Sequence, residues 1–342
     1  MEQRRGSPVR DINQRNKQTA RALWAALDSD PVRALPALDR VKHWQGPEPV
    51  GVQGSGPDIV AALFAPLRAA VPDLLRHTHI FMGGVSDARE DGTDGAAWVA
   101  GTGYYTGRAV ADVFGIPATE TDLRIRWGEF LRFDDAGRIT HAQTLWDLVD
   151  WCEQIGHPLL PPPRGASHVY PAPTGFDGVL ADPQDSNETA ATLHFGRDFI
   201  FGGLNGFDES DLGSMGMAKF FHPNVKWYGP GGIGACLSLA EFETFHQAPW
   251  LAAFPDRKVM HLESLFAEGR LLAASGPMGV VGHHAGPYLG HAATGAPIEV
   301  SGLDFWLRDG AQFTENWVFV DMIHLFKQMG IDLLSQLQEQ AV

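Results

Sequence analysis

Apolar positions along this chain fall first into a helical period and then into alternation, and they do so twice. Between Asn13 and Asp28, Ala20, Leu23, Trp24 and Leu27 recur at the spacing of one helix face. Glu188 to Phe207 is a more apolar counterpart. A strand-like run ending in a turn follows each, Val41 to Pro47 and Val225 to Pro230. Next come second helices, Pro57 to Ala70 and Leu239 to Ala253, each stopping before a Pro-Asp pair, Pro72-Asp73 and Pro255-Asp256. Proline cannot continue a helix, so it marks the end of both. Beyond these pairs the pattern alternates, with Gly and Asp at turns such as Asp134-Asp135-Ala136-Gly137 and Asp309-Gly310.

The doubling is also written residue by residue. Asp134–Gly156 and Arg308–Gly330 align without a gap, and Asp135, Thr140, Asp147, Gln154 and Gly156 recur as Asp309, Thr314, Asp321, Gln328 and Gly330. Self-similarity of this kind is the signature of a duplicated unit. Strands after helices, with no βαβ alternation, predict an α+β fold with an antiparallel sheet in each copy. The expected organisation is a tail over residues 1–12, a first domain over 13–157, a Pro/Gly-rich linker over 158–186 and a second domain over 187–342.

Length and charge sharpen this. A chain of 342 residues accommodates two domains. The formal charge of −15 speaks against a nucleic-acid partner, which needs clustered Lys and Arg. No apolar run is long enough for a membrane span, and no signal-peptide core follows Met1. Two cysteines in different copies, Cys152 and Cys236, give no disulfide framework, so the expected location is the cytoplasm.

Particular motifs then resemble a known family. Gly282-His283-His284-Ala285-Gly286-Pro287-Tyr288-Leu289-Gly290, followed by Ala293-Thr294-Gly295, is similar to the GTHxGxFxG…PTG stretch of SnoaL-like polyketide cyclases, within the nuclear-transport-factor-2-like superfamily. Glu315-Asn316-Trp317-Val318-Phe319-Val320-Asp321, running to Gln328-Met329-Gly330, resembles that family's ExWxxxD and closing helix. The first copy keeps Phe114 to Thr119 and Asp147, but has Tyr105 where His284 stands and His141-Ala142-Gln143 in place of Glu315-Asn316-Trp317. The resemblance implies tandem cones, each a strongly curved antiparallel sheet wrapped on about three helices around an apolar pocket. It also implies ring closure by aldol chemistry without metal or cofactor.

If Phe313 to Asp321 is a strand, alternation puts Phe313, Glu315, Trp317, Phe319 and Asp321 on one face. Lining the cone, that face would hold two carboxylates among aromatics, and burial would raise their pKa values towards acid/base use. Asp321 is then the candidate general acid/base, with His284 and Glu315 positioning or polarising; Asp147 is its counterpart. Phe313, Trp317 and Phe319 shape the pocket, with Glu263, His141 and Tyr105 as further substrate contacts. A second reading of Asp321 and Asp147 stands beside the first. Each directly precedes a helical run, where aspartate is an ordinary N-cap.

Other signals carry less. Gly229-Pro230-Gly231-Gly232-Ile233-Gly234 spells GxGxxG but lacks the surrounding βαβ unit, so it reads as a turn. Fourteen histidines come without a metal-binding spacing, and no GxSxG elbow is present. The expected protein acts without cofactor or metal on a small apolar or aromatic carbonyl compound in its second copy. Its assembly is an internal pseudo-dimer or a homo-oligomer. The alternative is a non-catalytic hydrophobic-ligand-binding or scaffold protein.

Overall fold

The computed structural model describes residues 8–51, 53–89, 94–119, 121–167, 169–208, 211, 213–335 and 337. Each copy is an α+β cone built in the same order. The first opens with helix Pro8–Ser29, whose Ala20, Leu23, Trp24 and Leu27 are all buried. The helix takes in residues 8–12, expected in the tail. Strands β1 (His43–Gln45) and β2 (Gln53–Gly54) precede a helical stretch over 56–70, in which Val60–Phe64 widens into a π turn. Long strands β3 (Leu75–Val85), β4 (Ala97–Arg108), β5 (Asp122–Phe133) and β6 (Ile139–Trp146) follow, and helix Leu148–Gln154 closes the copy. The sheet order is β2-β1-β6-β5-β4-β3, antiparallel except for β1 on β6.

The second copy repeats this. A helical stretch over 186–206 leads to β7 (Phe221–Tyr228), β8 (Ala235–Cys236) and a helical stretch over 239–253. Then come β9 (Lys258–His261), β10 (Ser264–Glu268), β11 (Leu271–His283), β12 (Pro297–Asp309), β13 (Gln312–Val320) and helix Met322–Gln328. The order is β10-β11-β12-β13-β7-β8, with β9 on β11 and β13 parallel to β7. Gly137 and Gly310 take left-handed φ of 78° and 57° in the matching hairpin turns, which a side chain would oppose.

The outer faces of the two sheets pack on each other. Met82, Phe130 and Leu145 from the first sheet meet Phe266, Leu303, Phe305, Trp317 and Phe319 from the second, with Phe130 and Phe305 ring centres 5.2 Å apart. The Pro/Gly-rich segment threads along this seam, pairing Ala166 with Ala235 and Val179 with Phe81. A buried ion pair crosses it, Lys17 Nζ to Glu268 Oε1 at 2.6 Å.

This packing overturns one expectation. Glu315 and Trp317 do not line the cone of the second copy; they belong to the seam, where Phe319 also packs although it borders the cavity as expected. Trp317 Nε1 donates to Pro171 O at 3.0 Å, and Glu315 Oε2 accepts from Thr174 N at 2.8 Å. The Phe319 ring lies 4.3 Å from the guanidinium carbon of Arg126. A register shift between Phe313 and Glu315 separates them from Phe313, which packs in the core of its own cone.

Candidate functional site

The cone of the second copy encloses a cavity of about 180 Å³. Alternation on β13 turns Asn316, Val318 and Val320 towards it, and β12 contributes Gly302, Asp304 and Trp306. Aromatic walls come from Phe199, Phe221, Trp227, Phe242 and Trp250. The π-helical Phe242–Gln247 places His246 on the wall, the kind of local widening that often accompanies a functional position.

Against this apolar lining a few polar groups stand out. Asp304 is reached by one hydrogen-bond donor among the described residues, Asn316 Nδ2 at a long 3.5 Å, and burial pushes its carboxyl up to about 7. The Tyr288 hydroxyl and Trp306 Nε1 are buried without a partner among the described residues. The His246 ring stacks on Trp227 with centres 4.2 Å apart, and its Nδ1 is likewise unpartnered. Burial, with the charge of Arg257 adding, lowers this imidazole to about 3, so it is neutral at physiological pH. Unpaired polar atoms around an apolar void are a costly arrangement that a ligand would relieve.

The residues expected to do chemistry lie elsewhere. Asp321 caps its helix, accepting from His324 N at 2.9 Å, and its other oxygen accepts from Glu48 N of the first copy at 2.8 Å. Burial raises its pKa to about 6, yet both oxygens are spent on main-chain amides outside the cavity. Asp147 mirrors it. It accepts from Asp150 N at 3.2 Å, from Gly231 N of the second copy at 3.0 Å, and from Arg126 Nη2 at 3.0 Å. Each aspartate therefore caps its own last helix and fastens the β1–β2 or β7–β8 turn of the other copy. The glycine-rich turn that spells GxGxxG is one of these fastened turns.

His284 is buried beside Phe254, with Nδ1 3.1 Å from Thr294 Oγ1, and burial lowers its pKa; it does not reach the cavity. Glu263 is also off the wall, where its neighbour Leu262 sits; His43 and Arg132 of the first copy face it, and burial raises its pKa. His141 is half-buried, with Nδ1 3.2 Å from Thr140 Oγ1. Tyr105 is packed between Trp127 and Trp146 in the first cone. The structure thus distributes the expected site over the seam, two helix caps and a filled core.

Larger side chains occupy the matching positions of the first cone. Leu145 matches Phe319 in the repeat, and their sheet partners are Gly128 and Leu303. By this register Trp127 stands where Gly302 stands, Trp146 where Val320 stands, and Glu129 where Asp304 stands. Glu129 is satisfied there by Trp24 Nε1 and by Thr144 Oγ1 at 3.0 Å, with Arg76 nearby. The two copies place a carboxylate at the same point of the sheet, tied down in one and reached by a single long hydrogen bond in the other.

Asp304 escaped the sequence reading although a signal was present. It is the lone charge in the apolar run Val300 to Leu307, and Glu129-Phe130 repeats as Asp304-Phe305 once one extra residue is allowed after the glycine. No group of three or more His, Cys, Asp or Glu among the described residues could hold a metal ion. No helix among them is long and apolar enough to cross a membrane.

Comparison with known proteins agrees with the motifs. Residues 207–329 match the family described as SnoaL-like polyketide cyclase, so the second copy is a SnoaL-like domain, and the first repeats its fold. Similar solved structures include a protein described as a SnoaL-like polyketide cyclase from Jannaschia sp. CCS1, at 16% identity and TM-score 0.37, over 43% of this chain and 96% of that one. An NTF2-like protein from Burkholderia thailandensis E264 is 22% identical, TM-score 0.31, over 42% and 98%. TsrD from Streptomyces laurentii is 20% identical, TM-score 0.32, over 43% and 97%. No curated protein matches the chain.

Proposed function

We propose that the second copy is a cofactor-independent acid/base enzyme acting on a small apolar carbonyl compound, with Asp304 in the role that the sequence motif suggested for Asp321. The observation that carries this is a half-buried carboxyl on the wall of an apolar cavity, held near neutrality and engaged by one weak donor. As carboxylate, Asp304 takes a proton from the carbon next to the substrate carbonyl. As acid, it returns that proton to carbon or to a new alkoxide, so the cycle balances as an isomerisation or an aldol ring closure. The Tyr288 hydroxyl and the Trp306 indole N–H are the donors available to the carbonyl oxygen as negative charge develops there. The first copy, its cone filled, serves as a built-in partner whose sheet covers the apolar back of the active copy. A cytoplasmic setting fits the two free, buried thiols.

The test is hydrogen–deuterium exchange next to the carbonyl in a panel of small enolisable ketones in D₂O, followed by NMR. The wild-type protein should speed exchange of at least one member, and Asp304→Asn should lower that rate by about 100-fold or more. Asp321→Asn should leave it within a few-fold. Equal exchange with wild type and Asp304→Asn across the panel refutes the assignment. A ligand that binds without any exchange favours the non-catalytic binding reading.

A further inference from the structure

The cavity also holds a cation with no ion-pair partner among the described residues. Arg257 lies between the helical stretch 239–253 and β9, is 7% exposed and lines the void. Its Nη2 donates to Leu204 O at 2.9 Å and to Met215 Sδ at 2.7 Å, and no carboxylate pairs with it among the described residues. The other deeply placed arginines of this chain are treated differently. Arg126 pairs with Asp147, Arg76 with Asp28 and Arg308 with Glu188. A buried charge without its counter-ion is expensive, and main-chain and thioether acceptors offset only part of that cost. Burial alone depresses this guanidinium to about 10, and its field reaches His246, whose Nδ1 is also vacant.

We infer that Arg257, with His246 beside it, is an anion subsite of this cavity, and that the ligand is a small monocyclic carboxylic acid whose carboxylate sits against the guanidinium. The guanidinium is pre-shaped for a carboxylate, and a neutral imidazole adds one N–H donor. The size follows from the volume. A dry cavity of about 150 Å³ accommodates benzene, so 180 Å³ takes one ring with a short acidic arm. The ring would lie among Phe199, Phe221, Trp227 and Phe242. The link from this subsite to turnover rests on the function proposed above, whereas the preference for an anion is measurable without any reaction.

Calorimetric titration of the full chain with phenylacetate and with phenylacetamide decides it. The acid should bind about tenfold or more tighter than the isosteric amide, as a charge-assisted contact predicts. Arg257→Met should bring the two within about twofold, and Arg257→Lys should retain part of the preference. Asp304→Asn should bind the acid at least as well as wild type, so loss of the acid/base role and loss of the anion site give different patterns. Equal binding of acid and amide by the wild type, or binding of neither, overturns the inference whatever the variants do.

Discussion

Asp304→Asn removes a charge from the cavity wall at nearly constant volume, and its effect on stability should depend on pH with a definite sign. The carboxyl titrates at about 7 in the fold, against an ordinary value of 3.8. Below pH 4 both folded and unfolded chains hold the proton, so the substitution is close to neutral. Between pH 4 and 7 the unfolded chain releases the proton while the folded chain keeps it, and the wild type loses stability as pH rises. Above 7 that loss is complete. From pH 5 to pH 8 the titrating span is about two pH units, or about 2.7 kcal/mol at most. Asp304 is half-buried by area because the cavity touches it, and water there would solvate the carboxylate, so the expected change is about 1–3 kcal/mol. Urea unfolding of both proteins at pH 5 and pH 8 measures it, because other titrating groups cancel in the difference between variants. The variant should gain on the wild type as pH rises. A gap that stays constant, or narrows towards pH 8, contradicts a buried, proton-retaining Asp304.

Asp321→Ala loses a helix cap and leaves the Glu48 amide unpaired, for about 2–4 kcal/mol of stability by denaturant titration, with no change in ketone exchange; a collapse of exchange in a folded variant would return catalysis to Asp321. Val320→Trp, copying Trp146 of the closed cone, should abolish phenylacetate binding at an overpacking cost of about 1–3 kcal/mol; undiminished binding in calorimetry would mean that ligand enters elsewhere. Burial pushes the Cys152 and Cys236 thiols up to about 12, so neither should react with a thiol reagent until denaturant is added. Rapid modification of the native protein would contradict their placement.

Much of the architecture could be read from the residues. The gapless repeat from Asp135/Asp309 to Gly156/Gly330 foretold two units, and Pro72 and Pro255 located both second-helix ends. Hydrophobic alternation failed at β13 for a physical reason. Both faces of that strand are buried, one in the cone and one in the seam, so period-two patterning carries no information on which is inside. A misplaced face carried Glu315 and Trp317 into the expected site together, while Phe319 borders both the seam and the cavity. The N-cap reading of Asp321 was available from its place before Met322, but its second partner, Glu48, lies 273 residues away and leaves no local trace. Asp304 was legible only as a lone charge among apolar neighbours. Arg257 looked like any basic residue after a turn until its missing counter-ion was visible in three dimensions.

The reciprocal fastening by Asp147 and Asp321 bears on how the molecule comes apart. Releasing either carboxylate frays a helix end in one copy and frees a turn in the other at the same moment, while the shared seam loses its edge. Local opening in one half therefore cannot stay local, and heating should melt both cones together in a single cooperative transition, with the cavity-bearing half drawing on the tryptophan-filled half for its thermal endurance.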